Sequence, residues 1–298
     1  MMSSNVIICR VILMPMRARH IYVLSVIICP DEPEYPKSKV ETCILDINSW
    51  RIANILKLNN WKPELFLLDT RHRPLPQLSL IHDAGTELIV AADSTKNSGV
   101  WFDNILSINK HVKFLCKTAF NHLRNLTTIR RFLSHKHCEI LIYAIVTSGI
   151  DYCYSLLSGL PQHLLQKFQH VQNAASRLLT YSKKHDNISP VLKVLHWLTV
   201  KSRIEFKMLI LTFKAYHEIG PKNLTDSLIK YTPSRTLPST NKGLLVVPKY
   251  NLESYGKRAF SVIARHSGTI YTRPNKNYSM LEFFFKNRVK TFLFSRSI

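Results

Sequence analysis

The chain has 298 residues, is 46% hydrophobic, holds only 8 glycines and carries a formal net charge of +22. That length and apolar content suffice for one large or two ordinary domains with real cores, while scarce glycine counts against a turn-rich barrel or sandwich and favours helices. Residues 1–97 hold 11 Lys and Arg against 10 Asp and Glu, whereas residues 98–298 hold 30 against 9, an excess far beyond what solubility needs. Such asymmetry points to a polyanionic partner for the second part, nucleic acid before membrane.

In chain order, residues 5–29 are apolar but broken by Arg10, Arg17, Arg19 and His20. No run there reaches the roughly 18–20 residues of a membrane span, and charges in the middle rather than the front do not fit a secretory signal. The β-branched IYVLSVIIC (21–29) reads as a buried strand, which leaves 1–30 as an otherwise unassigned or degenerate terminus with one strand. PDEPEYP (30–36) reads as a connector that regular structure does not cross. Val40, Cys43, Ile44, Ile47, Trp50 and Ile55 then recur at helical spacing and predict a helix over about 38–57. ELFLL (64–68), QLSLI (77–81), TELIVAA (86–92) and GVWF (99–102) follow as short strands separated by turn residues, so 38–103 reads as a helix feeding a small antiparallel sheet.

From 107 onward the pattern is helical. Ile108, Val112, Leu115, Cys116, Ala119, Phe120 and Leu123 form one apolar stripe. Leu164, Leu165, Phe168, Val171, Ala175, Leu178 and Leu179 form a second, and Val200, Ile204, Met208, Leu211 and Ala215 a third. Basic residues surround each, as on amphipathic helices that pack together and leave cationic outer faces. TPSRTLPST (232–240) reads as a polar loop, LLVVP (244–248) as a short strand, and FFFKNRVKTFLF (283–294) as a closing helix. The fold class expected is α+β: a small N-terminal helix and antiparallel sheet, then a predominantly helical remainder.

The six cysteines show no framework spacing and read as free thiols of a reducing compartment, nuclear or cytoplasmic rather than secreted. HKHC (135–138) suggests zinc at first sight. Adjacent His and Cys on one helical turn rarely converge on one tetrahedral ion, however, so a helix start with a buried Cys138 is the better reading. Asp151, alone in the apolar, Tyr-rich TSGIDYCYSLLSGLP (147–161), has no carboxylate near it in sequence. A buried lone charge is costly, so its expected task is accepting hydrogen bonds from a Lys or Arg of a neighbouring helix, or from a backbone end.

GVWFD (99–103), HVKFLCKTAFNHLRNL (111–126), TSGIDYCYSLLSGLP, FQHVQNAASRLL (168–179), ISPVLKVLHWLTVKSRIEFKMLILTFKAYH (188–217), YTPSRTL (231–237) and LLVVPKYNLESYGKRAFSV (244–262) stand in an order and spacing of their own. Together they resemble the C-terminal part of reverse transcriptases from non-LTR, LINE-type, jockey-like retrotransposons. VETCILDINSWRIANILKLNNWKPELFLLDTRH (40–72) is similar to the family's palm helix and following motif. The resemblance covers about 31–298.

It implies a partial palm over 31–103, a helical thumb over 104–182 and a mostly helical C-terminal extension over 183–298. Lys62 stands where the palm lysine assists the leaving pyrophosphate, and Gly99, Val100, Trp101 and Phe102 match the hairpin that positions the primer end. The implied partner is RNA or DNA, above all an RNA–DNA duplex, with no membrane and no small-molecule substrate of its own. A sequence-tolerant grip needs cations on phosphates rather than base contacts. The candidates are Arg124, Arg130, Arg131, Lys167, Arg177, Lys201, Arg203 and Lys207.

The metal-binding machinery of such enzymes does not follow from this sequence. Two-metal nucleotidyl transfer needs clustered carboxylates; the chain has no Asp-Asp pair, and MPMRARH (14–20), where the family's acidic turn falls, is basic. No catalytic acid, metal site or cofactor is expected; Mg²⁺ belongs to an intact parent enzyme. Pro63 after Lys62 and Ser98 before Gly99 also depart from the family pattern. The expectation is a truncated, catalytically inactive remnant that keeps a basic thumb. The alternatives are a translated relic without function and a fragment of an active enzyme whose palm lies upstream.

Overall fold

Seven-residue runs rich in Val and Ile open the structure. In the computed structural model the strands β1 (Ile7–Leu13) and β2 (Tyr22–Ile28) pair antiparallel, from Ile7 opposite Ile28 to Leu13 opposite Tyr22. The structure describes residues 7–13, 22–28, 34–54, 64–68, 79–82, 87–231, 245–250, 256–268 and 278–297. The expected single strand in 1–30 is therefore corrected to two. A strand alternates faces with a period of two, so a charge such as Arg10 that would interrupt a buried helix is compatible with it.

Two compact units divide the chain, 1–111 and 112–298. In the first, β3 (Glu64–Leu68) pairs antiparallel with β1, and β4 (Ser79–His82) antiparallel with β5 (Glu87–Ala92). β3 and β5 join in parallel through Leu65 opposite Ala91 and Phe66 opposite Ala92, giving the order β2-β1-β3-β5-β4. A separate hairpin follows, β6 (Ser94–Asn97) and β7 (Val100–Asp103). Its two turn residues, Ser98 at φ 48° and Gly99 at φ 82°, both lie in the left-handed region, as a tight turn matching strand twist requires.

Helix α1 runs over Glu34–Ala53, earlier than the expected 38–57. The Pro-rich connector is thus partly helical. Pro36 sits in the first turn, where its missing N–H has no intrahelical partner to lose. The expected members Val40, Ile44 and Ile47 lie in α1, whereas Ile55 and Lys62 fall outside the described residues.

The second unit is helical. Helix α2 (Asn109–Ile129) begins in the first unit and buries Val112, Cys116, Ala119, Leu123 and Leu126, a strict alternation of four- and three-residue steps. Phe120, expected on that stripe, is 41% exposed because Ala119 occupies the contact line one position before it. After a 3₁₀ turn (Arg130–Phe132), Ser134 caps α3 (His135–Leu141) by accepting from the His137 N–H, and Cys138 is fully buried. The HKHC segment is accordingly a helix start. The helix widens into a π-turn (Ile142–Thr147) before α4 (Ser148–Asp151).

Helix α5 (Gln162–Thr180) buries Leu164, Phe168, Val171, Ala175 and Leu179. Short α6 (Ile188–Val194) leads to α7 (Val200–Tyr216), which buries Val200, Ile204, Met208, Leu209, Phe213 and Ala215. After α8 (Lys222–Asp226), a bridge pairs Lys230 with Leu245. The loop expected at 232–240 falls outside the described residues. Helices α9 (Phe260–Gly268) and α10 (Tyr278–Ser297) both pack on α7. Val289 and Leu293 of α10 close a core with Leu198 and Leu209, and Phe285 stacks on Phe213 at 4.3 Å between centroids.

The fold class is α+β, as expected. The boundary expected at 103/104 lies eight residues before the observed division, and both sides of the boundary expected at 182/183 belong to the second unit. Among the described residues no helix is long and apolar enough to cross a membrane.

Candidate nucleic-acid interface

The C-terminal turn of any α-helix leaves carbonyls without intrahelical partners. At the end of α5 these are met from another helix end. Arg130, 5% exposed, donates from Nε to the Leu178 carbonyl at 3.1 Å and from Nη2 to the Leu179 carbonyl at 3.1 Å. Its Nη1 donates to the Leu133 carbonyl at 2.8 Å, and its guanidinium lies 4.3 Å from the centre of the Tyr181 ring. Tyr181 itself ends α5 in the left-handed conformation at φ 56°. Arg130 was expected to hold phosphate. Three of its five N–H donors instead go to carbonyls inside the fold, where it caps the end of α5.

The clamp joins the ends of α2 and α5 and leaves an open groove of about 650 Å³ above it. Arg131, Arg177 and Lys184 line this groove with Thr127, Tyr181 and Ser182, and no carboxylate lines it. Arg131 is exposed and lies over the Phe132 ring at 4.7 Å. Arg177 is half-buried and donates to the Asp186 carbonyl at 3.4 Å, while its Nε has no partner in the protein. Three expected residues, Arg130, Arg131 and Arg177, thus converge. Lys184, Thr127 and Ser182 were missed; for Lys184 and Ser182 the signal was the basic YSKKH run (181–185) just after the apolar stripe of α5.

The other expected cations lie elsewhere. Arg124, Lys201 and Lys207 are exposed, on α2 and α7. Lys167 is half-buried; burial pushes the Cys116 thiol up to about 11, and Lys167 partly offsets this. Arg203 donates to Asp151 Oδ2 at 2.7 Å, each side chain being roughly a quarter exposed. That is the partner from a neighbouring helix expected for Asp151. It also means Arg203 serves the fold first. Burial raises the Tyr154 phenol, and the Asp151 charge adds to that rise, so both keep the phenol protonated.

The quoted segments meet one another in this unit. Besides Asp151–Arg203, Gln172 Nε2 donates to the Leu198 carbonyl at 2.8 Å, and the Val200 N–H donates to Gln169 Oε1 at 2.9 Å. Arg258 Nη2 donates to the Leu156 carbonyl at 3.0 Å. Gly159 adjoins that contact at φ 74°, where an added Cβ would come within 2.8 Å of Arg258 Cγ.

The hairpin residues Gly99, Val100, Trp101 and Phe102 belong to the first unit. Val100 is buried, the Trp101 N–H donates to His111 Nδ1 at 3.5 Å, and Lys110 Nζ lies 4.1 Å from the centre of the Trp101 ring. Burial holds the His111 imidazole below its ordinary value of 6.5. Among the described residues no three His, Cys, Asp or Glu gather as a metal site would require. Cys43, Cys116, Cys138 and Cys153 are free thiols. No known family, curated protein or solved structure matches the chain.

Proposed function

We propose that this chain is a nucleic-acid-binding module whose second unit grips the phosphate backbone of a duplex, above all RNA–DNA, and that it does not polymerise by itself. The observation that carries this reading is the groove at the ends of α2 and α5, which is lined by Arg131, Arg177 and Lys184 and by no carboxylate. Its donors suit phosphate oxygens and carry no base information, as a sequence-tolerant grip needs. The resemblance to the thumb and C-terminal extension of non-LTR retrotransposon reverse transcriptases supports the same reading. The missing Asp-Asp pair supports a remnant without the parent's catalysis or Mg²⁺.

The test is fluorescence anisotropy of the full chain on an RNA–DNA hybrid over a salt series. Affinity should fall by roughly 0.9 log unit per log unit of salt for each phosphate neutralised. Arg131→Ala with Lys184→Ala should weaken binding evenly across sequences and lower the slope by about 2. A flat salt response, or an unchanged slope in the double variant, overturns the groove. Primer extension with Mg²⁺ or Mn²⁺ should give no incorporation; template-dependent extension overturns the non-catalytic part.

A further inference from the structure

A second cavity of the same unit, about 380 Å³ in volume, opens among the π-turn, α7 and α10. That volume lies in the range of small-ligand pockets, roughly 300–1,000 Å³. Arg203, Lys207, Lys286 and Lys290 line it against one carboxylate, Asp151, which is already paired with Arg203. Lys207 and Lys290 then face the cavity with no further carboxylate in its lining, which calls for an anionic occupant. Tyr143, Trp197 and Phe206 supply aromatic surface in the same wall.

Two local irregularities border the cavity. Tyr143 sits in the π-turn, a distortion that recurs at functional sites. His196, on the rim, holds φ 53°, a region that residues with a Cβ occupy only at a cost. Trp197 is 4% exposed, and its indole N–H makes no hydrogen bond of ordinary geometry, although it lies near the Tyr143 phenol, whose pKa burial raises and this N–H offsets only in part. Asp151 Oδ1 is likewise buried and accepts no hydrogen bond of ordinary geometry, although the Tyr154 phenol lies close enough to Asp151 to be held protonated by it, after burial. One buried donor and one buried acceptor therefore border a cationic, aromatic-walled cavity. Buried polar groups are ordinarily satisfied, so the pair marks a ligand that brings both an acceptor and a donor.

We propose that this cavity takes the phosphate and base of one unpaired nucleotide. The lysines meet the phosphate, the half-exposed Tyr143 ring offers a stacking face, and the Trp197 N–H and Asp151 Oδ1 meet the base edge. An acidic peptide fits less well, because its carboxylates bring acceptors only and oppose Asp151. The proposal deepens the nucleic-acid reading but rests on different residues from the duplex groove.

The test uses the full chain and a fluorescein-labelled single strand of about 12 nucleotides, beside an abasic phosphodiester strand of equal length and charge. The base-bearing strand should bind about tenfold more tightly, the worth of one good stacking contact. Tyr143→Ala should erase most of that preference, and Lys207→Ala with Lys290→Ala should weaken both strands. The Tyr143 variants should leave affinity for the RNA–DNA hybrid unchanged, whereas Arg131→Ala with Lys184→Ala lowers it. Thermal melting by circular dichroism establishes that the variants remain folded; Tyr143→Leu replaces Tyr143→Ala if the latter does not. A nucleoside monophosphate should compete, whether the natural occupant is free or within a strand. Equal binding of base-bearing and abasic strands, a preference that survives both Tyr143 variants, or stronger competition by a poly-glutamate peptide overturns the proposal. Loss of hybrid binding with the single-strand preference intact removes the groove and leaves this cavity standing.

Discussion

The two units are held together by different means. Residues 1–111 carry 12 Lys and Arg against 11 Asp and Glu, and a five-stranded sheet organises them through backbone pairing. Residues 112–298 carry 29 against 8 and have helices, whose backbone bonds are spent within each helix. Side chains must therefore do the joining. Arg130 ties the ends of α2 and α5, Asp151 and Arg203 tie α4 to α7, and Gln169 and Gln172 tie α5 to the approach of α7. A surplus of cations is tolerable in such a unit because some, such as Arg130 and Arg203, are consumed internally, while others, such as Arg131 and Lys207, face solvent.

If that contrast is right, the largest stability effect of a polar substitution falls on Arg130. Arg130→Ala strands the Leu178 and Leu179 carbonyls and should destabilise by about 2–4 kcal/mol in urea denaturation. A loss no larger than that of an exposed neighbour such as Arg131→Ala breaks the distinction between the internal and the external arginine.

A smaller effect belongs to the ion pair. Solvent reaches both Asp151 and Arg203, so Asp151→Asn should cost only about 1–2 kcal/mol. In a double-mutant cycle with Arg203→Met the two costs should not add. Additive costs would mean that the pair does not join α4 to α7.

The smallest effect sharpens the picture of the first unit. Buried His111 accepts a backbone hydrogen bond from Trp101 and has its pKa lowered below 6.5. The unfolded chain therefore takes up this proton first. Stability from His111 is present above pH 6.5 and falls as pH drops through that value toward the folded pKa, by at most about 1.4 kcal/mol per pH unit. His217, lowered by burial and then by Lys230, adds the same sign in the second unit. His111→Gln should narrow the difference in denaturation midpoint between pH 7.5 and 5.5, and His217→Gln should narrow it further. An unchanged difference in the double variant would place the acid sensitivity elsewhere.

Much of the fold was legible. The four-and-three spacing of Val112, Cys116, Ala119 and Leu123, and the stripe from Leu164 to Leu179, need only helical geometry to become buried faces. The strands from ELFLL to GVWF were legible for the same kind of reason. What misled was local punctuation: Arg10 hid β1, and the prolines hid the start of α1, because neither residue disrupts structure in the position it holds. The parallel contact between β3 and β5 joins segments more than twenty residues apart, and no periodicity reports it.

The candidate site divides more sharply. Composition and periodicity by themselves determined that the second half is a cationic, helical body, since both are properties of the chain. They could not say which cations face outward. Arg130 and Arg131 are neighbours, yet one is 5% exposed and caps a helix 48 residues away, while the other lines a groove. Arg203 and Lys207 are four apart on α7, yet only Arg203 meets Asp151, across 52 residues of chain. An arginine serves equally well as a phosphate contact or as a cap for stranded carbonyls. Tertiary structure alone decided between those uses, because the decision depends on whether an unsatisfied acceptor from a distant segment lies within reach of its donors.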